Sequence, residues 1–486
     1  MVFNSYAFLL FFPVVLILVN VLPAKWRNAL LLCASYVFYA SWGKRYCVLL
    51  LAVTAVVYAT GLLLEKRHKA LIFLLGLAAT LGALLVYKYL GFLLYSGNAL
   101  LRLLGVGEKL PGVSLMLPAG ISFFTFQAAG YLIDVYRGKY PAERNFLNFA
   151  LFVSFFSQIL SGPIGRGDQL LPQYENPQKP SYDQLRRGFL TMTWGFFLKL
   201  MIADRAAILV NTVYGSYTDY AGICLVFATV VYALQIYCDF AGYSYMAIGG
   251  ARMLGLELPE NFNTPYFAQS VQEFWRRWHI SLSTWFRDYV YIPLGGSRCA
   301  KWKKYRNVFI VFLVSGLWHG AMWSFVLWGA IHGLYQIVGG LTKPAREKLL
   351  DGLRVNRENT SYRVFRMLIT FLLVDFAWLF FRADGVSQAM SMLRWIFTQL
   401  RPTELVGAAF YTMGLDRPDF QVLLVSVAVL TLGDILRYRG FDFWAWYRRQ
   451  NWLFRELGLA AAMLLILTFG VWGNGFDASS FIYFQF

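Results

Sequence analysis

The sequence predicts an all-α polytopic membrane protein, and three observations predict it. Apolar residues fill 58% of the 486 positions and charged ones only 14%, against about a quarter in a soluble domain. Apolar runs of roughly 20 residues recur along the whole chain, each long enough at about 1.5 Å per residue to cross a ~30 Å hydrocarbon core. The polar stretches between them are too short for a separate soluble domain, so positions 1–486 are expected to form a single integral-membrane domain. A single aqueous core would struggle to absorb 43 Phe, 30 Tyr and 16 Trp.

Taken in order, the candidate spans lie at 6–22, 28–42, 46–64, 71–95, 115–133, 146–164, 189–210, 221–239, 308–339, 364–381, 420–436 and 457–472. That is eleven or twelve, and 308–339 is long enough to be broken. The first run has no basic start and no small-residue cleavage site, so it is expected to be a retained span. Stretches 165–187 and 342–362 are the main polar excursions, and no internal repeat is evident.

The net charge of +18 is carried by short clusters between the apolar runs: Lys66-Arg67-His68-Lys69, Arg186-Arg187, Lys301 with Lys303-Lys304, and Arg448-Arg449. Such clusters suit cytoplasmic loops facing anionic lipid, and no nucleic-acid-binding motif accompanies them. Membrane lipid is therefore an expected partner and nucleic acid is not. Cluster 65–69 predicts that this side is cytoplasmic and the N-terminus outside, although Lys44-Arg45 pulls the other way. Cys33, Cys47, Cys224, Cys238 and Cys299 show no paired spacing, so neither a disulfide framework nor a metal knot is implied.

Stretch 273–291 reads as neither span nor loop. Trp275, Trp278, Leu282, Trp285 and Tyr289 follow the i, i+3, i+7 spacing of one helical face, with Arg276, Arg277, Arg287 and Asp288 on the remainder. Such a helix lies at the membrane interface or lines a polar cavity. His279 is expected at the edge of its aromatic face, beside Arg276, Ser283 and Arg287.

Polar residues inside apolar runs are expensive and mark functional candidates. His68 belongs to a basic loop. His319 interrupts an apolar stretch, where desolvation disfavours imidazolium and keeps the ring able to accept a proton. Around it, Ser315, Gly316, Gly320 and Ala321 are small. Gly316 and Gly320 either pack a neighbouring helix closely or leave room for a substrate. His332 follows thirteen residues later, roughly 20 Å along an unbroken helix, so the two cannot pair unless the helix breaks. A hydrogen bond in packing is its expected role. Gln235, Asp239 and Tyr243 recur every four residues on one stripe, which faces a polar cavity unless Asp239 pairs with an arginine of 276–287. Asp134 and Asp375 are further intramembrane acids.

There is no phosphate loop, zinc spacing or Gly-x-Ser-x-Gly elbow. A neutral buried histidine, a second one on an aromatic-basic segment and a polar stripe suit proton abstraction from a hydroxyl as it attacks an activated acyl carbonyl. The same set suits a transporter that moves an acyl donor or glycan without chemistry, His and Asp relaying protons. Physics alone does not separate the two.

The motifs do. Asn261-Phe-Asn-Thr-Pro-Tyr266, the run Glu273-Phe-Trp-Arg-Arg-Trp-His-Ile-Ser-Leu-Ser-Thr-Trp-Phe-Arg-Asp-Tyr-Val-Tyr-Ile-Pro-Leu-Gly-Gly296 and Ser315-Gly-Leu-Trp-His-Gly-Ala321 closely resemble the signature of the membrane-bound O-acyltransferase family. Leu117-Pro-Ala-Gly-Ile-Ser-Phe-Phe-Thr-Phe-Gln127, Ser161-Gly-Pro-Ile164 and Tyr237-Cys-Asp-Phe-Ala-Gly-Tyr-Ser244 extend the resemblance, with a motif-bearing core at roughly 115–340. The opening Met1-Val-Phe-Asn-Ser and closing Phe481-Ile-Tyr-Phe-Gln-Phe486 look like the bacterial alginate O-acetylation branch, whose sister transfers D-alanine to teichoic acid. One departure is Tyr245, where that branch more often carries an acidic residue.

The resemblance implies a ring of tilted helices, with interfacial or re-entrant ones, around a central funnel in a bacterial inner membrane. It implies an acyl group, expected to be acetyl, passing from a cytoplasmic donor toward an extracytoplasmic envelope polysaccharide, directly or through a partner protein. The donor would be acetyl-CoA or an acyl-carrier thioester, with no permanently bound cofactor and no metal. His319 matches the family's membrane-embedded histidine, the expected base, and His279 its second motif histidine. Arg276, Asp239, Gln235, Trp318 and Asn263 are the expected substrate- or channel-lining residues.

Overall fold

The computed structural model describes residues 1–65, 69–107, 109–406 and 408–472, so Lys66, Arg67, His68 and the closing motif 481–486 lie outside the described residues. Those residues form helices, with no strand among them. The protein is an all-α, multi-pass membrane protein. Seven described helices are long and apolar enough to cross a bilayer: Lys44–Leu63, Lys69–Leu103, Gly222–Met253, Trp323–Gly352, Thr360–Arg382, Arg417–Tyr438 and Trp452–Phe469. The shorter apolar helix Tyr6–Val21 adds to them.

Other expected spans are shorter or broken. Run 28–42 becomes Arg27–Ala40, at 14 residues about 21 Å long. Run 146–164 is helical only over Phe146–Ser154. The irregular backbone that follows is buried in protein, where Ser35 Oγ accepts the Phe156 N–H (3.0 Å) and Gln158 donates to the Phe152 carbonyl (3.0 Å). Non-helical backbone in a membrane protein is tolerated where its polar groups are met this way. Run 189–210 carries a π-helical turn, Phe197–Ala203, centred near Lys199.

The chain divides into two compact units. The first comprises Met1–Met192 and Tyr243–Pro259. Its centre is the helix Ile121–Tyr136, buried on almost every side. That helix starts at Gly120, whose φ of +73° and whose position, where a Cβ would lie 2.1 Å from the Ile159 carbonyl oxygen, both require glycine. Arg27 is buried and donates to the carbonyls of Gln173 (2.6 Å) and Gln178 (3.0 Å), while Asn28 bridges to Asn148 (2.9 Å). Asp134, an acid expected within the membrane, is buried and pairs with Lys139 at 3.4 Å.

The second unit, Thr193–Gly242 with Glu260–Asp477, holds the segments on which the histidine motifs fall. Its main device is a hairpin. The run 308–339 is divided into helices Lys301–His319 and Trp323–Gly352, joined by three residues that turn the chain back. A Cβ on Gly316 would lie 2.2 Å from the Phe325 carbonyl oxygen, and one on Gly329 would lie 2.2 Å from that of Phe312. The two glycines thus let the antiparallel backbones touch, the small-residue packing familiar between membrane helices.

Candidate active site

All residues of the site belong to the second unit. Its motif segment does not form the single amphipathic helix that the aromatic spacing predicts. Two short helices, Val271–Arg277 and Ile280–Phe286, are separated by Trp278, which is extended, and His279, which adopts φ +45°. The break has a tertiary cause. Residues 261–264 lie against it, Asn263 N–H donating to the Arg277 carbonyl (2.9 Å) and Ile280 N–H to the Asn261 carbonyl (2.9 Å). These bonds capture backbone groups that a continuous helix would use internally. Ser270 caps the first helix by accepting the Glu273 N–H (3.1 Å), and Glu273 in turn accepts from Arg277 Nε (2.9 Å).

Burial still follows the predicted stripe: Trp275, Trp278, Leu282, Trp285 and Tyr289 are buried, and Arg276 and Arg287 are exposed. What the break removes is the expected neighbourhood of His279. The imidazole is fully buried, whereas Arg276 is exposed and Arg287 is engaged with Asp288 at 2.8 Å, so neither arginine joins it.

The neighbours of His279 come from elsewhere in the unit. Phe240 meets the ring edge-on at 4.6 Å between centroids, Trp318 lies at 5.7 Å and His319 at 6.5 Å. Its Nδ1 is 3.1 Å from Asn261 Oδ1. The same oxygen accepts the backbone N–H of Ser281 (3.2 Å) and the Ser281 hydroxyl (2.9 Å).

His319 is the last residue of its helix, which ends because Gly320 is extended, with φ −161°. The ring is buried against Trp318 (4.9 Å), Trp328 (5.0 Å) and Phe381 (5.4 Å). Gly320 does not open a path to it. A Cβ there would lie 2.1 Å from the Phe325 ring, so both glycines of the motif are explained by packing rather than by room for substrate. The hairpin also brings His332 back toward His319, and both rings contact Trp328 at 5.0 Å. His332 Nδ1 accepts the Trp275 indole N–H at 3.2 Å.

Asp239 is not paired with an arginine of 276–287. Its partner is Lys199 at 2.7 Å, which also holds Asp204 at 2.7 Å, and all three are buried. The π-helical turn at Phe197–Ala203 carries this lysine. Gln235, one turn before Asp239, is buried, and its Oε1 has no hydrogen-bond partner among the described residues. Trp318 bridges the two histidines. Asn263 presents an exposed side chain and contributes its backbone N–H to the break. Asp375 is buried, with no hydrogen-bond partner for Oδ1 among the described residues.

Lys199, Asp204, Trp328 and Phe381 are absent from the set the sequence singles out, and Asn261 stands there only as a motif residue with no assigned role. For Lys199 a signal existed, because a lone lysine inside the apolar run 189–210 is costly unless paired. Trp328 and Phe381 carry no such mark.

A search by family matches residues 137–374 to the MBOAT, membrane-bound O-acyltransferase family. The chain is 41% identical over 428 residues to "Probable alginate O-acetylase AlgI" of Azotobacter vinelandii, covering 85% of this chain and 83% of that relative. It is 34% identical over 430 residues to the peptidoglycan O-acetyltransferase of Helicobacter pylori, covering 81% and 79%. Similarity to the teichoic acid D-alanyltransferase of Bacillus subtilis is 29% over 289 residues, covering 56% and 70%.

Proposed function

The chain belongs to the membrane-bound O-acyltransferase family, and from that premise we propose that it moves an acetyl group from a cytoplasmic thioester toward a polysaccharide of the cell envelope. That it is a membrane-embedded acyltransferase of the inner membrane follows from the family and the apolar helices. The acetyl group is carried over from relatives named as O-acetylating enzymes of alginate and peptidoglycan. The thioester is that of acetyl-CoA or of an acyl carrier. An extracytoplasmic partner protein is the expected intermediary where the polysaccharide is not acetylated directly.

The observation that carries the residue-level reading is the pair of buried imidazoles, His279 and His319, 6.5 Å apart and both against Trp318. In this reading a ring nitrogen of His319 takes the proton of the acceptor hydroxyl as its oxygen attacks the thioester carbonyl carbon. A C–O bond forms, the C–S bond breaks, and the departing thiolate receives that proton from the imidazolium. His279 and Trp318 hold the reacting groups in place. A base with this role contributes about 10²- to 10⁴-fold in rate. Burial among rings favours it, because a neutral imidazole retains the lone pair that the reaction needs.

The test uses full-length protein in proteoliposomes, with acetyl-CoA or an acetylated carrier labelled in the acetyl group and an oligosaccharide acceptor. Transfer that requires His319 supports the reading. A folded His319→Ala protein that transfers at the wild-type rate would overturn it.

A further inference from the structure

We propose that Asn261 is a positioning residue that fixes His279 in the Nδ1–H tautomer, so that Nε2 is the nitrogen carrying the basic lone pair. The proposal rests on the reading of His279 as part of the reacting site and adds which of its atoms acts and what decides it.

The argument begins with a donor that has no choice. The backbone N–H of Ser281 is 3.2 Å from the Asn261 side chain, and a backbone amide can only donate. The Asn261 atom facing it must therefore be the carbonyl oxygen rather than the amide nitrogen. His279 Nδ1 lies 3.1 Å from that same oxygen. A carbonyl oxygen can only accept, so Nδ1 must bear the hydrogen. In a neutral imidazole one nitrogen donates and the other accepts, which leaves the lone pair on Nε2. Neutrality is favoured because the ring is fully buried, with Phe240 and Trp318 against it.

The arrangement is built to hold this geometry. The Asn261 oxygen also accepts the Ser281 hydroxyl at 2.9 Å, and the Asn261 backbone carbonyl accepts the Ile280 N–H at 2.9 Å. Asn261 is thus tied to the residues on either side of Ile280 and to the ring of His279 itself. His279 sits at φ +45°, which a non-glycine residue adopts only when its surroundings over-determine it. His332 shows the opposite outcome from the same logic. Its Nδ1 accepts from the Trp275 indole, which can only donate, so its hydrogen is on Nε2. His279 and His332 are thus set in opposite tautomers by one neighbour each.

Full-length protein labelled with ¹⁵N-histidine reads the tautomer directly in liposomes, with His279→Ala assigning the resonance. Wild type should show a protonated Nδ1 at His279, and Asn261→Leu should move the proton partly or wholly to Nε2. The Leu variant should lower kcat by roughly 10- to 100-fold with KM changed little, the scale of losing a hydrogen bond that orients a working histidine. Asn261→Asp keeps the acceptor oxygen and should recover most of kcat. Its carboxylate also favours the imidazolium, so the acid limb of the pH–kcat profile should move to higher pH.

A structural role alone would lower the melting temperature of Asn261→Leu and leave its kcat and its ¹⁵N pattern as in wild type; that result overturns the proposal. If instead His279→Ala keeps full kcat, the reading of His279 fails first, whatever Asn261 does to the tautomer. A wild-type His279 with its proton on Nε2 overturns the assignment outright.

Discussion

Two buried polar clusters in the second unit solve the same physical problem in different ways. Lys199, Asp204 and Asp239 are ions that answer one another, with both carboxylates 2.7 Å from the ammonium. His279 and His319 are rings that can be neutral, set against Phe240, Trp318, Trp328 and Phe381. Burying a charge is tolerated only when it is paired, whereas a neutral imidazole is buried at far smaller cost. The charges of the ion cluster are consequently held by one another. The ring cluster needs no counter-ion to be buried, which suits the role proposed for it.

The first way to break this comparison is to delete one member of each cluster. His319→Ala should leave the melting temperature in detergent close to wild type while cutting acetyl transfer by about 10²- to 10⁴-fold. A matched loss of stability and activity would show that the two clusters do not differ in kind. Lys199→Met should do the reverse, leaving two carboxylates buried with no ammonium and destabilising the fold by about 3–5 kcal/mol. Calorimetric or fluorescence melting would register it. Adding Asp239→Asn to that variant should restore part of the loss, since the two side chains are directly coupled.

A smaller effect sharpens the role of the hairpin that carries His319. Gly316→Ala places a methyl group 2.2 Å from the Phe325 carbonyl oxygen, so the helices must separate. The expected destabilisation is about 1–3 kcal/mol, and it should be read by melting together with a proportionate drop in transfer. The smallest effect is expected at Arg276. It is exposed and apart from the buried imidazole, so Arg276→Ala should change stability by no more than about 0.5 kcal/mol. A large loss of transfer in a folded Arg276→Ala protein would restore that residue to the site.

Much of the candidate site's composition was legible before any coordinates. His319 stands out because a histidine inside an apolar run is rare, and Asp239 stands out for the same reason. The burial of Trp275, Trp278, Leu282, Trp285 and Tyr289 also follows their spacing. Other features were not legible. The break at Trp278–His279 is imposed by residues 261–264, and nothing local marks it: no glycine or proline lies between Glu273 and Pro293. For Asp239 the sequence offers either a polar cavity or the arginines of 276–287, while its actual partner lies 40 residues earlier, inside an apolar run. Gly316 was ambiguous because its meaning depends on what faces it, and only the hairpin supplies Gly329.

Composition and run length are enough to set the solvent and the chemical vocabulary of this protein. Apolar run length fixes a membrane, and the rarity of ionisable groups within such runs marks the candidate residues. Tertiary structure alone decided which of those residues answer one another. It paired Asp239 with Lys199, set His279 against Asn261 and folded His332 back onto the tryptophan that touches His319. The physical reason is range. Partition into lipid is close to a sum over single residues and can be read one side chain at a time, but a hydrogen bond or ion pair is made between segments whose separation along the chain says nothing about their separation in space.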